Sequence, residues 1–122
     1  MPELRFKETD LQDQFYRQTK PRVRETVIAL KDYLWKEFRY LPTVTAVLEN
    51  KEPPSWYHAE GLAVDLRGKD MTAEIMAHAI MYCLKHFPRH TKGVFGDVLR
   101  TALSCYVHGT GAYLHLHISQ DV

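Results

Sequence analysis

Apolar residues recur every three or four positions in the N-terminal third of the chain and every second position near its C-terminal end, which separates helical from strand territory. Val23, Val27, Leu30, Leu34 and Phe38 form an amphipathic stripe that predicts a helix, and Pro21 suits its first turn. A shorter helix is expected over residues 9–17, where Thr9 and Gln12 have capping-box spacing. Leu41-Pro42 breaks the long helix. TVTAVLE, residues 43–49, is β-rich and alternates, NKEPPSW is a proline-containing loop, and LAVDL, residues 62–66, reads as a second short strand. Thr72 is placed to cap a helix running to about residue 87, with Met76, Ile80, Cys83 and Phe87 on one face and Pro88 beyond its end. Residues 94–106 fit either a strand or a helix. AYLHLHI, residues 112–118, alternates strictly and is the clearest strand.

Helices first, then strands interrupted by one helix, predict an α+β fold with a small, mainly antiparallel sheet. The sequence contains no internal repeat, low-complexity tract or Gly/Ser linker. One domain over residues 1–122 is therefore expected, with a helical part at 1–41 and the candidate chemistry at 43–120.

Composition narrows the function only a little. Of the 122 residues, 45% are hydrophobic and 25% charged, as in an ordinary globular protein with a real core. A net charge of +1 creates no field that would draw nucleic acid or an anionic membrane, so neither is expected as a partner. The opening MPELRFKETD does not begin a signal peptide, and no apolar run reaches the ~20 residues of a bilayer span. A cytoplasmic or phage-associated location is the expectation. Cys83 and Cys105 make no disulfide framework, which fits a reducing compartment.

The chemistry begins on the last strand. Side chains alternate across a sheet, so Ala112, Leu114, Leu116 and Ile118 are expected to face the core while Tyr113, His115 and His117 face the other side. Two imidazoles on one strand face are a metal signal. A second signal is SWYHAEGLAVD, in which His58 closes the proline-rich loop and Asp65 sits in the short strand. Gly61 permits a tight turn between them, and Ala63 leaves room beside the carboxylate. His58, Asp65 and His117 together supply two imidazoles and one carboxylate with a fourth position left to water, the composition of a catalytic zinc site.

His58, Gly61, Ala63 and Asp65, followed by His115 and His117, resemble the zinc D-Ala-D-Ala carboxypeptidases and related phage peptidoglycan peptidases, whose fold is shared by the hedgehog signalling domain. The resemblance covers residues 43–120. It implies zinc ligation by His58, Asp65 and His117, and cleavage of peptidoglycan stem peptides as a carboxypeptidase or an endopeptidase. For the mechanism, His115, next to the metal on the same strand face, is the first candidate to stabilise the oxyanion or move the proton, with Asp97 and then Glu60 as further candidate bases. On the substrate side it points to Ser55, Arg67 and Tyr113. Three departures stand out. Trp56 occupies the place of the serine that usually lies two residues before the first histidine. Ala46, Leu48 and Glu49 stand where an arginine usually anchors the substrate carboxylate, a role left to Arg67 or Arg100. Residues 111–116 contain no carboxylate, although active members place one shortly before the last histidine.

Three other readings use the same residues. Cys105, His108, His115 and His117 have spacing for a structural zinc site. Leu-His-Leu-His with Tyr82 and Lys85 resembles the metal site and nucleophile of rolling-circle nucleases, although their tyrosine follows the histidines. The hedgehog resemblance also allows a catalytically inactive zinc-binding module.

Overall fold

The computed structural model describes residues 2–48, 61–88 and 104–120. A two-residue strand, β1 (Arg5–Phe6), precedes helix α1 (Thr9–Gln18) and the long helix α2 (Pro21–Phe38). Strands β2 (Thr43–Ala46) and β3 (Ala63–Arg67) lead to helix α3 (Ala73–His86), and β4 (Cys105–His108) and β5 (His115–Ser119) complete the sheet. The strand order is β1-β2-β3-β5-β4. β1 pairs parallel with β2, and the other pairings are antiparallel. The fold is α+β, as the alternating periods predict.

The α2 stripe explains how the layers join. Val23, Val27, Leu30 and Leu34 are fully buried, and each contributes roughly 1.5–3 kcal/mol by leaving water. They share one core with Val44, Val64, Leu66, Leu116 and Ile118 from the sheet, Phe15 from α1 and Cys83 from α3. The helices therefore cover one sheet face. Pro21 lies in the first turn of α2, and Arg39 ends the helix in the left-handed conformation at φ 52°, its N–H donating to the carbonyls of Leu34 and Trp35. Thr72 caps α3 by accepting a 3.1 Å hydrogen bond from the backbone N–H of Ile75. No helix among the described residues is long and apolar enough to cross a membrane.

Several local expectations shift. The N-cap of α1 is Glu8, one residue before Thr9, and no side chain caps that end, so the Thr9–Gln12 box is not used. The buried face of α3 is centred on Ile75, Ala79 and Cys83, with Met76 and Ile80 packed at its margin. β2 stops at Ala46, where its register against β3 shifts. The last strand begins only at His115. Gly111–Tyr113 forms a 3-10 turn instead, and Gly109 and Gly111 have φ of 80° and 58°. Ala112 is consequently exposed rather than part of the core.

Candidate metal centre

β3 and β5 are neighbours, and their register sets Asp65 directly opposite His117 and Arg67 opposite His115. β4 continues both rows, with Tyr106 opposite His117 and His108 opposite His115. Alternation sends Val64, Leu66, Leu116 and Ile118 into the helix-covered core. The same alternation collects Asp65, Arg67, Tyr106, His108, His115 and His117 on the other face. One row reads Asp65, His117, Tyr106, and the next reads Arg67, His115, His108.

Asp65 is 7% exposed. Its carboxylate turns one oxygen to each histidine: Oδ1 lies 3.0 Å from His117 Nδ1, and Oδ2 lies 3.6 Å from His115 Nε2. Ligand atoms of Asp65, His115 and His117 all fall within 4.8 Å of one another, close enough to hold a metal ion. The donor chemistry fits as well. His115 Nδ1 donates to the Tyr113 carbonyl at 2.8 Å, and because a carbonyl only accepts, the lone pair of the neutral ring resides on Nε2. Metal-binding histidines are commonly oriented in this way by a backbone carbonyl. The Tyr106 ring packs against the His117 ring at 5.0 Å between centroids and restricts its rotation.

The sequence candidates fall into four groups. Asp65, His115 and His117 come together. Arg67 shares their strand face at the end of β3, half-buried. Tyr113 does not: it lies in the 3-10 turn, 84% exposed, and reaches the centre only through its carbonyl. His58, Ser55, Glu60, Asp97 and Arg100 lie outside the described residues. Gly61, between the two halves of the motif, has φ 71°, and a Cβ there would strike the carbonyl oxygen of Gln18. Its own carbonyl accepts from the Lys20 N–H at 2.8 Å, which ties the entry to β3 onto the start of α2.

Cys105 is not part of the centre. It is 1% exposed on the core side, where a hydrogen bond with Cys83 and burial hold its thiol well above its ordinary pKa. A cluster of Cys105 with His108, His115 and His117 would require one strand to present neighbouring faces to one point. Tyr82 is equally remote: it stacks on Tyr33 of α2 at 4.5 Å, in the helical layer across the sheet from the histidines. The Tyr82–Lys85 motif and the histidine pair therefore do not form one nuclease site. Tyr106 is the residue that sequence reading missed. Its signal was the alternation of Tyr106 with His108, hidden in a stretch of undecided period.

No family model, curated protein or solved structure matches the chain.

Proposed function

We propose that the chain is a zinc-dependent peptidase acting on peptidoglycan stem peptides, with Asp65 and His117 as metal ligands. The observation that carries this reading is the meeting of the two motif halves. Asp65 and His117 lie 52 residues apart in sequence, yet they face each other at 3.0 Å on adjacent strands, with His115 beside them. His58 completes the ligand set by resemblance. Two imidazoles and a carboxylate with an open position suit a catalytic zinc site. Zinc, when bound, supplies Lewis acidity that acidifies water and polarises a peptide carbonyl.

The protein's own residues supply the rest. His115, whose ring is oriented by the bond from Nδ1 to the Tyr113 carbonyl, is the group that would take up a proton at Nε2 and return it to the leaving amine. Arg67 lies two residue pairs along the ladder, next on the same sheet face, and would attract the carboxylate of a stem peptide. Tyr106 steadies the ring of His117. Asp97 is kept as a second candidate base and Ser55 as a candidate substrate contact. The setting that suits such chemistry is a phage-associated protein acting on the cell wall.

The test is cleavage of purified muropeptides by the zinc-loaded protein, followed by mass spectrometry. His115→Ala is expected to lower turnover by ~10²–10⁴-fold with zinc content preserved, as when a positioned acid–base group is lost. Absence of cleavage by the fully loaded wild type would favour the second reading, a zinc-holding interaction module. The observation behind that alternative is that Asp65 is the only carboxylate in the metal-capable group among the described residues.

A further inference from the structure

Helix α3 carries an apolar seam that faces away from the core. Ile75, Ala79 and Cys83 bury its inner side, whereas Ala77, Met81 and Leu84 are exposed, Met81 at 65% and Leu84 at 49%. Their spacing of four and then three residues sets them in one line along the helix, as at the core positions of a coiled coil. The seam starts at Glu74 in the first turn and ends beside Lys85 in the last, both exposed. Neither residue forms an ion pair among the described residues. Tyr33 of α2 walls the flank of the seam, stacking on Tyr82 at 4.5 Å with its hydroxyl hydrogen bonded to His78 Nδ1 at 3.1 Å. We propose that the outer face of α3 is where the chain pairs with a second copy of itself, the two helices running antiparallel about a two-fold axis.

The seam selects this occupant because, read in reverse, it is complementary to itself. An axis at the level of Ala79 sets Ala77 opposite Met81 of the second copy, and Glu74 opposite its Leu84, one residue from its Lys85. The methyl of Ala77 leaves room for the long, adaptable methionine side chain. The carboxylate at one end of the seam meets the ammonium at the other, and the symmetry repeats that contact at both ends of the pair. A parallel pair would instead bring Glu74 against Glu74 and Lys85 against Lys85, so the charges also reject the wrong orientation.

The 14 residues of α3 make a helix about 21 Å long. One helix pair of that length buries less than the ~1,200 Å² at the lower end of stable interfaces, so the dimer is weak and concentration-dependent. Because α3 belongs to the layer across the sheet from Asp65, His115 and His117, pairing leaves the metal-capable face open.

The experiment is sedimentation velocity of the full chain in zinc-free buffer, over a range of protein concentration reaching the high micromolar. The mass is expected to rise from 14.3 kDa toward twice that value. Met81→Glu, made at an exposed site, is expected to weaken pairing by roughly tenfold or more while urea unfolding stays close to wild type. Glu74→Lys and Lys85→Glu should each weaken it several-fold, and the double variant should recover most of the loss; this charge series is an independent test should Met81→Glu not fold. A wild type that stays monomeric throughout would overturn the proposal, as would a folded Met81→Glu that pairs like wild type. A double variant pairing no better than either single one would overturn the antiparallel arrangement.

Discussion

Asp65 carries two duties at the scale of a single side chain, because each of its oxygens faces a different imidazole. Asp65→Asn preserves the volume and one acceptor but removes the charge that a divalent ion needs. Zinc affinity is expected to fall by at least the roughly 10–100-fold typical of losing even an outer partner of a metal ligand, as read by competition with a chelating dye. Tyr40 offers a separate test away from the metal. Its hydroxyl donates to Asp70 Oδ1 at 2.6 Å, and burial, followed by that hydrogen bond and the charge of Asp70, raises its pKa well above the ordinary tyrosine value. The folded protein therefore keeps the proton while the unfolded chain releases it at a pH of about 10. The stabilisation is complete below that pH and is lost as pH rises toward the folded pKa. Tyr40→Phe is expected to cost about 1 kcal/mol at neutral pH and to flatten the alkaline limb of stability. Urea unfolding at a series of pH values checks both parts, and equally steep alkaline losses in the two proteins would refute the assignment.

The elements show where local sequence determines geometry and where pairing does. Gly61 stands at the entry to β3 with positive φ and with the Gln18 carbonyl in the place of a Cβ. Gly61→Ala should cost about 1–3 kcal/mol through backbone strain, visible as a lower melting temperature. A variant as stable as wild type would mean that the α2–β3 junction is not fixed by this contact. The helices α2 and α3 were legible because period, Pro21 and the Thr72 cap agree within one segment. β1 was not, since two residues carry no period and its parallel pairing with β2 is made across α1 and α2. The start of β5 was overextended because Ala112-Tyr113-Leu114 alternates like a strand, whereas the positive φ of Gly109 and Gly111 turns the chain into a 3-10 segment. At the site, the shared face of His115 and His117 follows from alternation alone. That Asp65 stands opposite His117, and His108 opposite His115, depends on strand register, which no single segment contains.

Over the whole molecule, the candidate centre joins two strands that lie far apart in sequence, and a polar keystone does the same for the helical side. Gln120, 1% exposed just after β5, donates from Nε2 to Thr26 Oγ1 at 3.2 Å and to the Phe87 carbonyl at 2.8 Å. It thereby fastens the end of the sheet to α2 and to the end of α3. Gln120→Ala leaves the buried Thr26 hydroxyl and the partly buried Phe87 carbonyl without this donor and is expected to destabilise the fold by about 2–3 kcal/mol, measured by urea unfolding. Metal held across β3 and β5 should stabilise the same architecture from the opposite face, because an ion bound only by the native state shifts folding by mass action. A strong chelator is accordingly expected to lower the melting temperature, and added zinc to restore it. Elemental analysis of protein dialysed against metal-free buffer tests the centre most directly. The arrangement of Asp65 and His117 predicts one retained zinc per wild-type chain and almost none in Asp65→Ala or His117→Ala. Wild-type protein without zinc, or either variant with its full complement, would contradict it.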